Sequence, residues 1–122
     1  MVKSQGLHHI NLNVGDIGRS LKFYQQAFGL EVAFWEGKTM VFLHSPGMRD
    51  TITLCQAKPG EPIAGGGVSH FGFALDKGGL EEAVAQVEQA GGKLVARGKH
   101  GGRFPYAYVA DPDGYVIELG NG

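Results

Sequence analysis

At 122 residues the chain has the length of one ordinary domain, and its 43% apolar and 19% charged residues are typical of a folded globular protein. The formal net charge is −1 and no Lys/Arg cluster exceeds two or three residues. The sequence therefore has no basic footprint for nucleic acid or anionic membranes, and a small-molecule partner is predicted. The single cysteine excludes an intramolecular disulfide. The sequence has no apolar run of membrane-spanning length and no recognisable signal peptide, which predicts a cytoplasmic protein.

The first half of the chain predicts one strand, one helix and three further strands. In the helix, Leu21, Tyr24 and Phe28 recur at helical spacing, and Gly29 is placed to end it as a C-cap. Two strand-like segments flank a turn at Gly37 and form a predicted hairpin. In chain order, the predicted elements are a strand at 9–14, a helix at 19–28, and strands at 30–35, 39–44 and 51–56.

The second half repeats this order. When His70 is aligned with His9, an offset of 61 residues, a strand, a helix and three strands follow again. The sequence DPDG at 111–114 is a strong turn signal and joins the last two strands. The predicted elements are a strand at 70–75, a helix at 80–90, and strands at 93–96, 106–110 and 115–119.

These elements predict an α+β fold in which two paired βαβββ modules form a cup-shaped, mostly antiparallel eight-stranded sheet with flanking helices. Residues 1–122 are expected to be one domain. Module 1 spans about 5–57, a linker rich in glycine and proline about 58–67, and module 2 about 68–120. A second glycine-rich stretch, 98–105, is expected to be a mobile loop over the concavity.

Strand alternation places three metal-ligating side chains on the inner face of the predicted sheet. His9 and His70 occupy matched positions of the two repeats, on the strand side opposite the apolar residues that pack under a helix. Glu118 lies in a mainly apolar final strand, where a buried carboxylate requires a cation or a basic partner. Two imidazoles and a carboxylate suit a divalent metal ion and leave positions open for substrate. His8 is the alternative to His9, but it lies on the apolar side of the strand with Ile10.

Four motifs resemble those of the vicinal oxygen chelate superfamily, which includes glyoxalase I, bleomycin and fosfomycin resistance proteins and extradiol dioxygenases. They are LHHINLNV at 7–14, RSLKFY at 19–24 with FGL at 28–30, VSHFGF at 68–73 and DPDGYVIEL at 111–119. The resemblance covers nearly the whole chain and implies the paired βαβββ fold, with metal ligands at His9, His70 and Glu118. Glyoxalase I enzymes carry a further acidic ligand, which Thr53 replaces here. The chain is therefore more similar to the three-ligand dioxygenase and fosfomycin-resistance branches.

The resemblance also implies a cofactor and roles for residues around it. One divalent metal ion is expected, with Fe(II) or Mn(II) favoured and Ni(II) or Zn(II) as alternatives. Tyr108, ten residues before Glu118, is similar to a catalytic tyrosine of the dioxygenases, whose additional catalytic histidine has no clear counterpart. Arg103 and His100 in the second glycine-rich loop and Trp35 in module 1 are predicted to contact the substrate.

These features together favour a metal-dependent enzyme that binds a small substrate through two neighbouring oxygens, with a dioxygenase-like reaction preferred. The alternatives are a metal-dependent lyase, isomerase or thiol transferase of the glyoxalase or fosfomycin-resistance type, or a metal-free binding protein of the bleomycin-resistance type. The retained histidines and glutamate argue against the metal-free class. The resemblance implies a homodimer, in which His9 completes either the site of its own chain or that of the partner.

Overall fold

The computed structural model describes residues 1–120, and its elements follow the predicted β-α-β-β-β order twice. The first module contains β1 (Ile10–Val14), α1 (Ile17–Phe28), β2 (Glu31–Glu36), β3 (Met40–His44) and β4 (Ile52–Gln56). The second module contains β5 (Phe71–Ala74), α2 (Leu80–Gln89), β6 (Lys93–His100), β7 (Phe104–Ala110) and β8 (Val116–Gly120). Within residues 1–120, no helix has the length and apolar character needed to cross a membrane.

Each module forms its own four-stranded sheet, in the order β1-β4-β3-β2 for the first and β5-β8-β7-β6 for the second. In both sheets the first and last strands of the module pair in parallel, and the other pairs are antiparallel. The predicted α+β fold of two βαβββ modules is therefore confirmed. In the described part of the chain, the eight strands form two separate sheets rather than one continuous sheet, with β1 and β5 as edge strands.

Helix α1 begins at Ile17, two residues before the start that its apolar pattern predicts. The reason is a cap: the Asp16 carboxylate accepts a hydrogen bond from the backbone N–H of Arg19 at 3.0 Å. Gly29 ends the helix in the left-handed conformation, with φ of 63°, as predicted.

The mobile loop predicted at 98–105 is instead a regular hairpin, so that prediction was wrong. Strand β6 continues to His100 and β7 begins at Phe104, and from Ala96 onwards the cross-strand register is unbroken to that pair. Two glycines at the tip have φ of 59° and 66° and make a tight turn. Gly98 lies opposite Tyr106, where a Cβ would come within 2.6 Å of the tyrosine Cζ. The glycine content therefore reflects a turn and a close packing contact.

The helix-facing sides of the two sheets share one hydrophobic core with both helices. The predicted alternation is confirmed, because Leu12 and Val14 in β1 and Ile117 and Leu119 in β8 are buried, whereas Asn11 is exposed. The other side of each sheet, called the outer face below, lies away from this core. The predicted ligand positions are on these two outer faces.

The turn between β7 and β8 ties the second module to the first. The buried Asp111 accepts a hydrogen bond at 2.7 Å from the hydroxyl of Tyr24 in α1, and Asp113 accepts one at 2.8 Å from the Arg19 guanidinium. The hydroxyl of Tyr115 donates to the backbone carbonyl of Asn13 at 2.7 Å. These contacts fix how the two modules pack within one chain.

Gly92, between α2 and β6, is a position where a side chain is expected to destabilise the fold. A Cβ there would lie 2.6 Å from both the Ala110 carbonyl oxygen and Val87 Cγ1, and 2.9 Å from Phe23 Cε1. We expect Gly92→Ala to lower the free energy of unfolding by about 1–3 kcal/mol, measured by urea denaturation, because the backbone must shift to relieve the overlap. Gly67→Ala is the control, since nothing lies within 4 Å of its Cβ position. An equal loss in both variants would contradict this explanation.

Candidate active site

The outer face of the second sheet brings a histidine and a carboxylate together. Cross-strand register places Gly72, Glu118 and Tyr108 in one row across β5, β8 and β7. His70, directly before β5, directs its Nε2 to within 3.3 Å of Glu118 Oε1. A Cβ at Gly72 would lie 2.9 Å from the Glu118 backbone oxygen and 3.4 Å from its Cβ, so only glycine leaves this space free.

The second oxygen of the same carboxylate contacts the end of strand β6. His100 Nε2 lies 2.9 Å from Glu118 Oε2, and the imidazole stacks on Tyr106 with ring centroids 4.3 Å apart. The hydrogen bond from His100 is the main reason why the pKa of Glu118 is lowered from its ordinary value. Partial burial opposes this effect, and a hydrogen bond from Tyr108 adds to it. Glu118 is therefore ionised at neutral pH.

The Tyr108 hydroxyl is the second donor beside this carboxylate. Partial burial and its hydrogen bond to Glu118 raise the pKa of the hydroxyl, which keeps it protonated. The ring also makes an edge-on contact with His70, with centroids 4.9 Å apart. Tyr108 is thus a neutral hydrogen-bond donor next to both predicted ligands.

The other nitrogen of His70 also has a partner. Ser69 Oγ lies 2.8 Å from His70 Nδ1, and a hydroxyl can accept the hydrogen of an Nδ1–H group. That tautomer leaves the lone pair of Nε2 directed towards Glu118 and available to a cation. Ser69 was not among the predicted site residues, although its position directly before the histidine was the available signal.

An open cavity of about 530 Å³ lies beside these groups. His70, His100, Glu118, Pro105 and Tyr106 are among its lining residues, and every lining residue belongs to the second module. The first module of the same chain therefore contributes no residue to the lining of this cavity.

The outer face of the first sheet carries the remaining predicted ligand, His9, whose Nδ1 lies 2.8 Å from His8 Nδ1. The buried Thr53 donates a hydrogen bond to Asn11 Oδ1 at 2.5 Å, and the Cys55 thiol donates to the same oxygen at 2.9 Å. Thr53 is paired with β1 in the same way as Glu118 is paired with β5. The Thr53 hydroxyl therefore occupies the position in the first module that the Glu118 carboxylate occupies in the second.

The structure does not bring His9 to His70 and Glu118. Among residues 1–120, no group of three histidine, cysteine, aspartate or glutamate side chains is arranged to hold one metal ion. His9 instead borders a different cavity, together with residues 50–52 and 71–73. Both outer faces point away from the shared core, which explains the separation within one chain.

Two of the predicted substrate contacts lie elsewhere. Trp35 pairs with the buried Val41, so it is on the core side of its sheet, 41% exposed at the edge. Phe34 takes the outer face instead and stacks on Phe42 with ring centroids 4.2 Å apart, a contact that sequence reasoning missed. Arg103 lies over the ring of the neighbouring phenylalanine at 5.2 Å and borders a cavity next to the start of α2.

Two βαβββ modules with a histidine and a carboxylate on the outer face of one sheet define a class of domain suited to small-molecule chemistry. The chain belongs to the Glyoxalase/Bleomycin resistance protein/Dioxygenase superfamily, whose family model matches residues 6–119.

Individual relatives span several enzyme activities. The chain is 30% identical to a probable chloroplastic lactoylglutathione lyase of Arabidopsis thaliana, over 91% of this chain but only 34% of that protein. It is 28% identical to the glutathione transferase FosA of Serratia marcescens, over 94% of this chain and 79% of the relative. Among solved structures, the fold matches a mutant fosfomycin resistance protein FosX from Listeria monocytogenes, complexed with Mn(II) and 1S,2S-dihydroxypropylphosphonic acid. That match has a TM-score of 0.79 and 22% identity, and it covers 98% of this chain and 91% of the other.

Proposed function

We propose that the protein is a metal-dependent enzyme whose site combines His70 and Glu118 of one chain with His9 of the partner subunit. The observation that carries this proposal is the 3.3 Å approach of His70 Nε2 to Glu118 Oε1 on an open outer face. Two ligands from one chain are fewer than a closed three-ligand site requires. An exposed His9 on the other module supplies the missing imidazole when two copies associate.

The donor set fits a divalent metal ion. Glu118 is ionised at neutral pH, and its lowered pKa adds to this. The contact between Ser69 and Nδ1 permits the tautomer in which the lone pair of His70 Nε2 is available to a cation. Imidazole and carboxylate ligands suit Fe(II), Mn(II), Ni(II) and Zn(II), with Fe(II) or Mn(II) preferred. When bound, such an ion polarises substrate oxygens as a Lewis acid. The protonated Tyr108 hydroxyl would then turn from Glu118 and donate its single hydrogen to the substrate.

The reaction class that the relatives favour is that of a lyase, isomerase or thiol transferase acting on a small substrate with two neighbouring oxygens. Both named enzyme relatives belong to that group. The Thr53 hydroxyl, which donates to Asn11, favours a three-ligand site of the fosfomycin-resistance type. Activity with Mn(II), Ni(II) or Zn(II) in the absence of oxygen is the result that would support this class.

A ring-cleaving dioxygenase using Fe(II) is the second candidate, and one observation favours it. His100, which lies in a strand and not in a loop, reaches the same carboxylate as Tyr108 and supplies the additional histidine of that class. Oxygen consumption with a catechol and Fe(II) is the measurement that selects this candidate.

The shared site is tested by mixing two inactive chains. We expect His9→Ala and Glu118→Ala homodimers each to lose the metal, whereas a heterodimer of the two regains about one ion per pair of chains. One interface then combines the intact His9 of one chain with the intact His70 and Glu118 of the other. The measurement is elemental analysis of a heterodimer purified through two different affinity tags.

The controls separate the parts of this proposal. A wild-type protein that is monomeric in solution contradicts the shared site, as does a heterodimer with no more metal than its parents. A wild-type dimer that binds no divalent ion contradicts the metal dependence itself.

A further inference from the structure

The two oxygens of Glu118 have different partners. Oε1 faces His70 Nε2 at 3.3 Å, and Oε2 lies 2.9 Å from His100 Nε2. An ionised carboxylate has no hydrogen to donate, so the hydrogen of the shorter contact belongs to His100 Nε2. A nitrogen that carries this hydrogen has no lone pair for a metal. His100 therefore holds Oε2 of Glu118, and Oε1 is the oxygen that faces His70.

His100 is itself held in place by the β6–β7 hairpin. Its ring lies nearly parallel to that of Tyr106, at an interplanar angle of 24° and a centroid distance of 4.3 Å. Tyr106 in turn occupies the space above Gly98, where any Cβ would overlap its ring. The hydrogen bond to Glu118 thus comes from a side chain whose orientation is set by packing, although the imidazole is half exposed.

We propose that His100 is a positioning residue that orients the Glu118 carboxylate, so that Oε1 points at the ion held with His70. This inference rests on the proposed function and assigns His100 a role other than the substrate contact that the sequence predicts. Groups that hydrogen-bond to a metal ligand fix its orientation, and their loss typically weakens metal binding by about 10–100-fold. The effect of His100 is therefore expected on metal affinity in the absence of any substrate.

Two matched variants separate the hydrogen bond from the ring packing. His100→Phe keeps a flat ring on Tyr106 and removes the N–H donor, whereas His100→Gln keeps an N–H donor and removes the ring. We expect His100→Phe to weaken Mn(II) binding by about 10–100-fold and His100→Gln to stay within about threefold of the wild type. Affinity is measured by isothermal titration calorimetry of the substrate-free dimer. Arg103→Gln, in the same hairpin but away from Glu118, is the control.

Each outcome decides the assignment. Retained Mn(II) affinity in His100→Phe overturns it, and a rise in KM alone in that variant identifies a substrate contact instead. An equal loss of affinity in both variants also overturns it, because an amide donor would then fail to replace the imidazole. A wild-type protein that binds no Mn(II) removes the proposed function together with this inference. Thermal unfolding of the metal-free variants shows whether a loss of affinity comes from a loss of fold.

Discussion

Glu118→Gln is expected to weaken Mn(II) binding by more than about 100-fold, because removing a direct ligand costs more than losing one of its hydrogen-bond partners. The substitution keeps the size of the side chain but removes its charge. Its amide oxygen still accepts the hydrogen bond from His100, so the outer face keeps its shape. The measurement is calorimetric titration of the wild-type and variant proteins with Mn(II), together with elemental analysis after dialysis.

The control for this prediction is Glu81→Gln. Glu81 is also a surface carboxylate of the second module, but its ion pair is with Arg97, at 2.7 Å. We expect wild-type Mn(II) affinity in that variant. If Glu118→Gln binds Mn(II) as tightly as Glu81→Gln, then Glu118 is not a ligand and the site proposed here is wrong.

The residue pattern of single strands was sufficient to predict which side of the second sheet His70 and Glu118 occupy. Alternation placed His70 and Glu118 on the side opposite Phe71 and Ile117, and the structure has both on one outer face. Such predictions succeed because the side-chain period of a strand is two and one side is buried in the core. The repeat likewise predicted the order of the elements in both modules.

A bulge explains why the sequence did not predict the place of Trp35. Strict alternation from the core-facing Val32 would put Trp35 on the outer face, with His9. The register shifts between Val32 and Phe34, so every later residue of β2 changes sides and Phe34 takes the outer position. No local feature of the sequence marks that extra residue.

Local sequence patterns could not predict how the two sheets face each other, for a different reason. Which sheet faces which depends on contacts between modules, and these contacts involve residues far apart in the chain. Tyr24 and Asp111 are 87 positions apart, and their hydrogen bond is one of those that orient the modules. The sequence could therefore suggest His9 as a candidate ligand but not the chain in which it would act.

Asp111→Ala is expected to lower the free energy of unfolding by about 3–5 kcal/mol, the largest stability effect predicted for the chain. Asp111 is 4% exposed, and its carboxylate accepts hydrogen bonds from the Tyr24 hydroxyl and from the backbone N–H groups of Asp113 and Tyr115. Alanine would leave these three donors without an acceptor, and each buried orphan costs about 1–3 kcal/mol. Urea denaturation at one fixed protein concentration measures the loss, because association also adds stability.

The pH dependence of the same experiment tests whether the carboxyl group itself matters. Burial raises the pKa of Asp111, although the hydrogen bonds from Tyr24, Tyr115 and Asp113 oppose the shift. The folded state therefore binds the proton more tightly than the unfolded state. The contribution of Asp111 to the stability of the wild type should fall as the pH rises from the ordinary carboxyl range through the raised pKa. Asp111→Asn cannot titrate, so its stability deficit relative to the wild type should be largest below that window and smaller above it.

Asp76→Ala, at an exposed position of the same module, should change the stability by no more than about 0.5 kcal/mol. A comparable loss in Asp76→Ala, or a deficit of Asp111→Asn that grows with pH, would mean that Asp111 does not hold the modules together in this way.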